Sequence, residues 1–232
     1  MWGYEITCTF YPWARTISVA ETGNADILYP EYYIEPDAHQ IFTRGQNGWI
    51  TWSCQTKFRR TIAFISNGPA KRPFNGDLRN LKGVTIGVVR GYQNTPEFDR
   101  LMDINFFKTE EVTDDLTNVK MLIAGRVDMI IGDPAVICYS IKHSASAPEE
   151  KQRILDKIET VFMIIQYNHL YYAVSKKRPG WEKTLEMLNQ TIEGFQKNGE
   201  LNRIIHQTNT ECGFEMQTLA REKSLSENLI PG

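Results

Sequence analysis

Leu81-Lys82-Gly83-Val84-Thr85-Ile86-Gly87-Val88-Val89-Arg90-Gly91-Tyr92 begins the part of the chain whose period decides the fold. Lys82-Gly83 reads as a turn, and Val84 to Val89 as a strand apolar on both faces. Arg90 to Asn94 is a loop, and Thr95-Pro96 supplies an N-cap and a first helical residue, a position proline suits. Phe98, Leu101 and Met102 give that helix an apolar face. Phe106 to Val112 carries the next strand. Thr113 or Asp114 then caps a helix bearing Leu116, Val119, Leu122 and Ile123, which Gly125 stops. Val127 to Ile131 is a third strand, broken at Gly132-Asp133-Pro134. Strand, helix, strand, helix, strand implies a parallel sheet with helices packed on it, an α/β architecture.

Upstream the pattern is less regular. Tyr4 to Phe10 alternates and is rich in β-formers, so it predicts a strand. Trp13 to Thr22 predicts a short helix with Gly23 past its end, and Ala25 to Tyr29 a strand. Residues 30 to 60 have no clean period, although Trp49 to Trp52 reads as a strand, as does Thr61 to Ile65. Ser66-Asn67-Gly68-Pro69, backed by Lys71-Arg72-Pro73, is the clearest linker. Downstream, Glu149 to Ile158 reads as a helix, and Val161 to Tyr167 and Leu170 to Val174 as two strands separated by Asn168-His169. Trp181 to Phe195 is the strongest amphipathic helix, and a shorter one carries Leu201, Ile204 and Ile205.

Composition narrows the function classes. The 232 residues carry a net charge of -2, with 41% apolar and 23% charged residues. That is ordinary for a globular protein and gives no basic face for nucleic acid. No apolar run approaches the ~18 residues of a membrane span. The start, Met1 to Ile6, has neither the basic nor the long apolar region of a secretory signal. The four cysteines, Cys8, Cys54, Cys138 and Cys212, include no C-x-x-C pair and are read as free, mostly buried thiols rather than a zinc site. The four histidines are scattered, and no hydrolase, metalloprotease, Walker or dinucleotide motif is present. No cofactor or metal is implied.

Two features point to a ligand. Gly91 to Thr95 leads from a buried strand to a helix N-terminus, where free amides suit a carboxylate or phosphate. Tyr92, Gln93, Asn94 and Thr95 add hydroxyl and amide groups. Asp133 follows another parallel strand, and ligands of open α/β sheets bind beyond the carboxyl ends of strands. The two strand ends, at Arg90-Gly91 and Gly132-Asp133, open on one sheet edge. Together they suit a zwitterion or another polar solute. Asp114-Asp115 and Glu110-Glu111 read more simply as caps and dipole partners than as an acid/base pair.

Four motifs carry a family resemblance. Leu81 to Tyr92 resembles the "LKGKTIGVVRGY" start of the second lobe of bacterial extracellular solute-binding proteins of family 3, the amino-acid-type, type II periplasmic binding proteins. Leu122-Ile123-Ala124-Gly125-Arg126-Val127-Asp128, with Asp133 following, resembles the family's "L-x-x-GRVD-x-x-x-x-D". Leu188 to Ile205 resembles its closing helices, and Tyr11-Pro12-Trp13-Ala14-Arg15 with Gly23 to Asp26 resembles "PW-x-R … G-x-x-D".

The resemblance implies two lobes, each a mixed, mostly parallel sheet flanked by helices. Lobe 1 would comprise 1-66 plus 169-232, and lobe 2 would comprise 67-168. Hinges would lie near Ile65 to Pro69 and Tyr167 to Leu170, and a small polar solute would be trapped in the cleft by hinge closure. Arg90, Gly91, Tyr92, Gln93, Asn94, Thr95 and Asp133 would contact it from lobe 2, and Trp13, Tyr32 and Tyr33 from lobe 1. An arginine clamp for a carboxylate would come from Arg44, Arg59 or Arg60. A periplasmic location and a membrane permease of an ABC transporter are also implied. The residues leave room for an enzyme on the same fold, such as a cyclohexadienyl dehydratase-like lyase using Asp133, and for a derivative that binds nothing. Family members place a strand and a helix before the segment matching Tyr4 to Arg15. That departure predicts a lobe 1 that repacks, associates with another molecule or stays poorly ordered.

Overall fold

The computed structural model describes residues 3–32, 50–52, 59–69 and 74–210. Tyr33, Arg44, Cys54 and Cys212 lie outside the described residues, as do the side chains of Tyr32, Arg59 and Arg60.

The predicted alternation is present. β4 (Thr85–Val89), α2 (Pro96–Asp103), β5 (Lys108–Val112), α3 (Asp115–Ile123) and β6 (Met129–Gly132) follow in order, with β4 parallel to both β5 and β6. β3 (Arg59–Asn67) is antiparallel to β6 on one side and to β7 (Ile158–Ser175) on the other. β1 (Ile27–Tyr32) and β2 (Ile50–Trp52) both pair with the second half of β7, through Val174 opposite Ile27 and Ser175 opposite Ile50. The single strand β7 is therefore common to two hydrogen-bonded groups of strands. The two strands expected at 161–167 and 170–174 are one. Asn168 and His169, polar residues that suggested a break, pair opposite Arg60 and Arg59 instead.

Side-chain alternation sorts the core onto two faces. Met129 and Ile131 of β6 join Phe64, Ile86, Val88, Phe98 and Phe107 in one cluster. Ile130 faces the other way, among Ile65, Val119, Leu122, Ile137 and Ile141. α2 covers the first face, and α3 with α4 (Pro134–Lys142) covers the second. Phe64 and Phe98 have no exposed surface, and truncating either to alanine would cost about 3–5 kcal/mol. A smaller cluster joins α1 (Trp13–Glu21) to the sheet through Ala20, Leu28 and Ala173.

The Gly-Arg-Val-Asp stretch has a structural job. Gly125 has φ +68°, the left-handed position that ends α3, and the Arg126 amide reaches back 3.0 Å to the Met121 carbonyl. Asp128 then fixes the start of β4. Its Oδ2 accepts from the Thr85 amide at 3.0 Å, and its own amide donates to the Thr85 carbonyl at 2.8 Å.

One expectation is corrected. Tyr4 to Phe10 forms no strand; no described strand lies alongside to complete its hydrogen bonds, and Ile6 and Phe10 stand 81% and 94% exposed. Asp133-Pro134 starts a helix: the Asp carboxylate caps α4 and Pro134 takes its first position. Of the described cysteines, Cys138 is buried but Cys8 is exposed on that unpaired segment. The helix expected at Glu149–Ile158 is α5 (Pro148–Leu155), and the two C-terminal helices are α6 (Trp181–Lys197) and α7 (Glu200–Thr210).

Candidate functional site

The carboxyl ends of β4, β5 and β6 meet along one edge, with Val89 opposite Val112 and Gly87 opposite Ile130. Three loops leave it: Arg90 to Thr95, Thr113-Asp114, and Asp133. The sequence placed Arg90-Gly91 and Asp133 on a common edge, and the parallel register puts them there.

Within the first loop the groups have different fates. The Arg90 side chain lies over β5, Nε 2.8 Å from Glu111 Oε2, with both side chains more than half exposed. Such a pair contributes under about 1 kcal/mol. Gly91 has φ +77° and turns the chain so that the Tyr92 amide bonds the Val89 carbonyl at 3.0 Å. Gln93 is half-buried. Asn94 and Thr95 are buried and spend their polar atoms on the first turn of α2. The Asn94 amide donates to Asp99 Oδ2 at 3.1 Å, its side chain donates to Asp99 Oδ1 at 3.3 Å, and Thr95 Oγ1 accepts from the Phe98 amide at 3.1 Å. Asn168 of β7 donates to the Asn94 carbonyl at 3.4 Å, tying the loop to the long strand.

Tyr92 is the residue that reaches across. Its hydroxyl donates to Asp115 Oδ2 at 2.8 Å, and its ring meets Trp13 of α1 edge-on with centroids 6.2 Å apart. A Cβ placed on Gly91 would stand 3.6 Å from Trp13 Cδ1 and 3.7 Å from Ala14. The start of α1 and the β4–α2 loop are therefore in contact, which brings the predicted Trp13 and the predicted loop into one site. Tyr32, at the end of β1, and Arg59, at the start of β3, are placed by their backbone alone.

Asp115 was missed by reading the Asp114-Asp115 pair as caps. One cap suffices for one helix. Asp114 fills that role, its carboxylate accepting from the Thr117 amide at 2.8 Å and from the Thr113 and Thr117 hydroxyls. Burial tends to raise the Asp114 pKa, but these bonds and Lys120 outweigh it and hold the carboxyl below its usual range. Asp115 is 7% exposed and points at Tyr92. Burial lifts its pKa to about 6; the Tyr92 bond opposes this, and the charges of Asp114 and Asp133 add to it. Asp133, 6% exposed, accepts from the Ala135 amide at 2.8 Å and the Val136 amide at 3.4 Å. Two acids in succession, one already committed as a cap, were the available signal for Asp115.

The edge thus combines three carboxylates and a phenol, with the indole of Trp13 against the phenol ring. Chemically it can accept hydrogen bonds from an ammonium group and pack an apolar or planar body beside it. Among the described residues no group of three or more His, Cys, Asp or Glu side chains could hold a metal ion. No described helix is long and apolar enough to cross a membrane.

No family model matches the chain, and no curated protein matches it in sequence. Solved structures do match. A histidine kinase sensor domain with similarity to periplasmic binding proteins superposes with TM-score 0.64 at 16% identity, over 84% of this chain and 75% of that one. A variant of ArgBP from T. maritima gives TM-score 0.66 at 15% identity, over 90% and 79%. An ancestral arginine-binding protein bound to glutamine gives 0.62 at 19% identity, over 84% and 76%.

Proposed function

We infer the function of the chain from its structural similarity to type II periplasmic binding proteins and the substrate-binding proteins of amino-acid ABC transporters, a fold shared with sensor domains. We propose that it binds a small polar solute carrying an amino group, an amino acid or a close analogue, in a cleft between two lobes. Lobe 1 would comprise residues 1–66 and 169–232, and lobe 2 residues 67–168. β3 and the long β7 would form the hinge strands, since together they link the group of strands around β4 to the pair β1 and β2.

One observation carries this reading. Trp13 of α1 meets Tyr92 at the carboxyl edge of the parallel strands, directly beside the buried Asp115. A site formed from both sides can close on a solute and open without it. Asp133 and Asp115 would take the ammonium end and Trp13 the side chain. Gly91, Tyr92 and Gln93 would offer the remaining polar contacts, with Arg90 at the rim. Asn94 and Thr95 would act by fixing the loop, because their groups are already bonded to α2. Tyr32 and Arg59 are the proposed lobe 1 partners for the solute's other end. A periplasmic setting, and either a permease or a signalling domain as the recipient, fit this reading.

An enzyme is the competing reading, and Asp115 favours it: a carboxyl with a pKa of about 6 beside a phenol could move a proton near neutral pH. One of the similar structures is an ancestral amino-acid-binding protein described as a precursor of cyclohexadienyl dehydratase.

Thermal melting against a panel of amino acids, polyamines, small carboxylates and sugars tests the proposal. A ligand that binds only the folded state raises the midpoint. A rise confined to amine-bearing solutes, with the solute recovered unchanged, supports a binding protein. Chemical turnover of the solute supports the enzyme. A cooperative melt that no solute shifts overturns both.

A further inference from the structure

Residues 4 to 10, Tyr-Glu-Ile-Thr-Cys-Thr-Phe, present an alternating strand sequence that pairs with no described strand. Every residue of the segment is exposed. Tyr4, Ile6 and Phe10 are 60%, 81% and 94% exposed. Cys8, on the same alternation, is exposed and close enough to Tyr172 to act on it electrostatically. The segment therefore runs past the Tyr29–Tyr172 stack, whose ring centroids are 4.1 Å apart. A contiguous apolar row beside unpaired backbone groups is what soluble monomers avoid.

The row is close to symmetric about Thr7. Turning a second copy antiparallel about that residue sets Tyr4 opposite Phe10, Ile6 opposite Cys8, and Thr7 opposite Thr7. On the other face the register sets Glu5 opposite Thr9, so no like charges meet. Aromatic–aromatic and apolar cross-strand pairs of this kind are favourable. The three large side chains expose about 500 Å² per copy at usual side-chain areas. Edge pairing covers the backbone and the flanks of that row, less than the ~800 Å² per partner of a standard interface, so the association is weak and reversible.

We propose that this segment is a self-association strand. Two copies of the chain pair antiparallel through residues 4–10, in the register centred on Thr7. The proposal is independent of the solute reading.

Sedimentation of the full chain across a concentration series tests the association. A reversible dimer is expected, lost in the Ile6→Asp and Phe10→Asp variants while the melting midpoint of the separated monomer moves by no more than ~2 °C. A monomer throughout, or a dimer unaffected by both changes, overturns the proposal. The register is read separately in a Cys8→Ser background. Thr7→Cys should give an oxidation-dependent covalent dimer at least five-fold above the background chain, and Thr9→Cys should not, because only residue 7 faces its own copy. Equal yields at the two positions, as parallel pairing would give, or a yield favouring residue 9, overturn the register.

Discussion

The Tyr92 hydroxyl donates to Asp115 Oδ2 across 2.8 Å, joining the loop after β4 to the first turn of α3. That bond partly offsets the burial that lifts the Asp115 pKa to about 6. Asp99, which holds the Asn94 end of the same loop, is also lifted to about 6, by burial first and then by Asp103, against the bonds from Asn94.

These two acids fix the sign of a pH dependence. Each binds its proton more tightly folded than unfolded, where an aspartate titrates near ~3.9. Their favourable contribution is fully present below the unfolded value and is lost as pH rises through about 6. Asp115→Asn removes one share of that loss and keeps an acceptor for Tyr92. The variant should be more stable than the parent at pH 8, by about 1–2 kcal/mol, with the difference shrinking to zero by pH 4. Urea unfolding at the two pH values checks it; a variant that is less stable at pH 8 would contradict the assignment.

Tyr92→Phe isolates the hydroxyl. It keeps the ring against Trp13 and deletes the one bond that favours ionised Asp115 from that side. The Asp115 titration should move further above 6, read from the carboxyl carbon shift in a labelled sample. Under the proposed function, affinity for an amine-bearing solute should fall several-fold at pH 6 and less at pH 8, where Asp115 ionises in either protein. Isothermal titration at both pH values reads the difference.

The α/β alternation was legible because most of its elements have a local signal: apolar strands at β4 and β6, a proline start for α2, an aspartate start for α3 and a glycine stop after it. β7 was less so, since Asn168 and His169 look like a break; only the opposing residues Arg60 and Arg59 across the ladder make them part of a strand. The site divides along the same line. Gly91, Tyr92 and Asp133 follow from their position at strand ends, a topological rule. Asp115 depends on which member of an adjacent pair faces inward, and that is settled by Tyr92, 23 positions away. Thr95 was read as the cap of α2, which it is, whereas the ligand role read for Asn94 overlooked Asp99, which takes both its backbone and its side-chain amide.

Gly87 illustrates a constraint that has nothing to do with backbone freedom. A Cβ there would overlap Asn118 Oδ1 and stand 3.0 Å from Ile130 Cγ2. Asn118 is 1% exposed, and its Oδ1 has no hydrogen-bond partner. Gly87→Ala should therefore destabilise by about 1–3 kcal/mol through overpacking. Pairing it with Asn118→Ala removes both the overlap and the unsatisfied oxygen. The double variant should recover at least half of the loss, and strict additivity of the two single changes in a denaturant cycle would contradict the direct contact.

Asp133 is asked to do two things, and they can be separated. Its carboxylate caps α4 through the Ala135 and Val136 amides, and the proposed function adds a charge for the solute's ammonium group. Asp133→Asn and Asp133→Ser preserve a capping oxygen, whereas Asp133→Ala does not. Alanine should lower stability by about 1 kcal/mol, with serine and asparagine near the parent. All three should lose solute affinity, by at least ten-fold, because none restores the charge. If asparagine and serine bind as tightly as the parent, Asp133 is a helix cap alone, and the ammonium contact must pass to Asp115, whose affinity contribution would then disappear as pH falls below about 6.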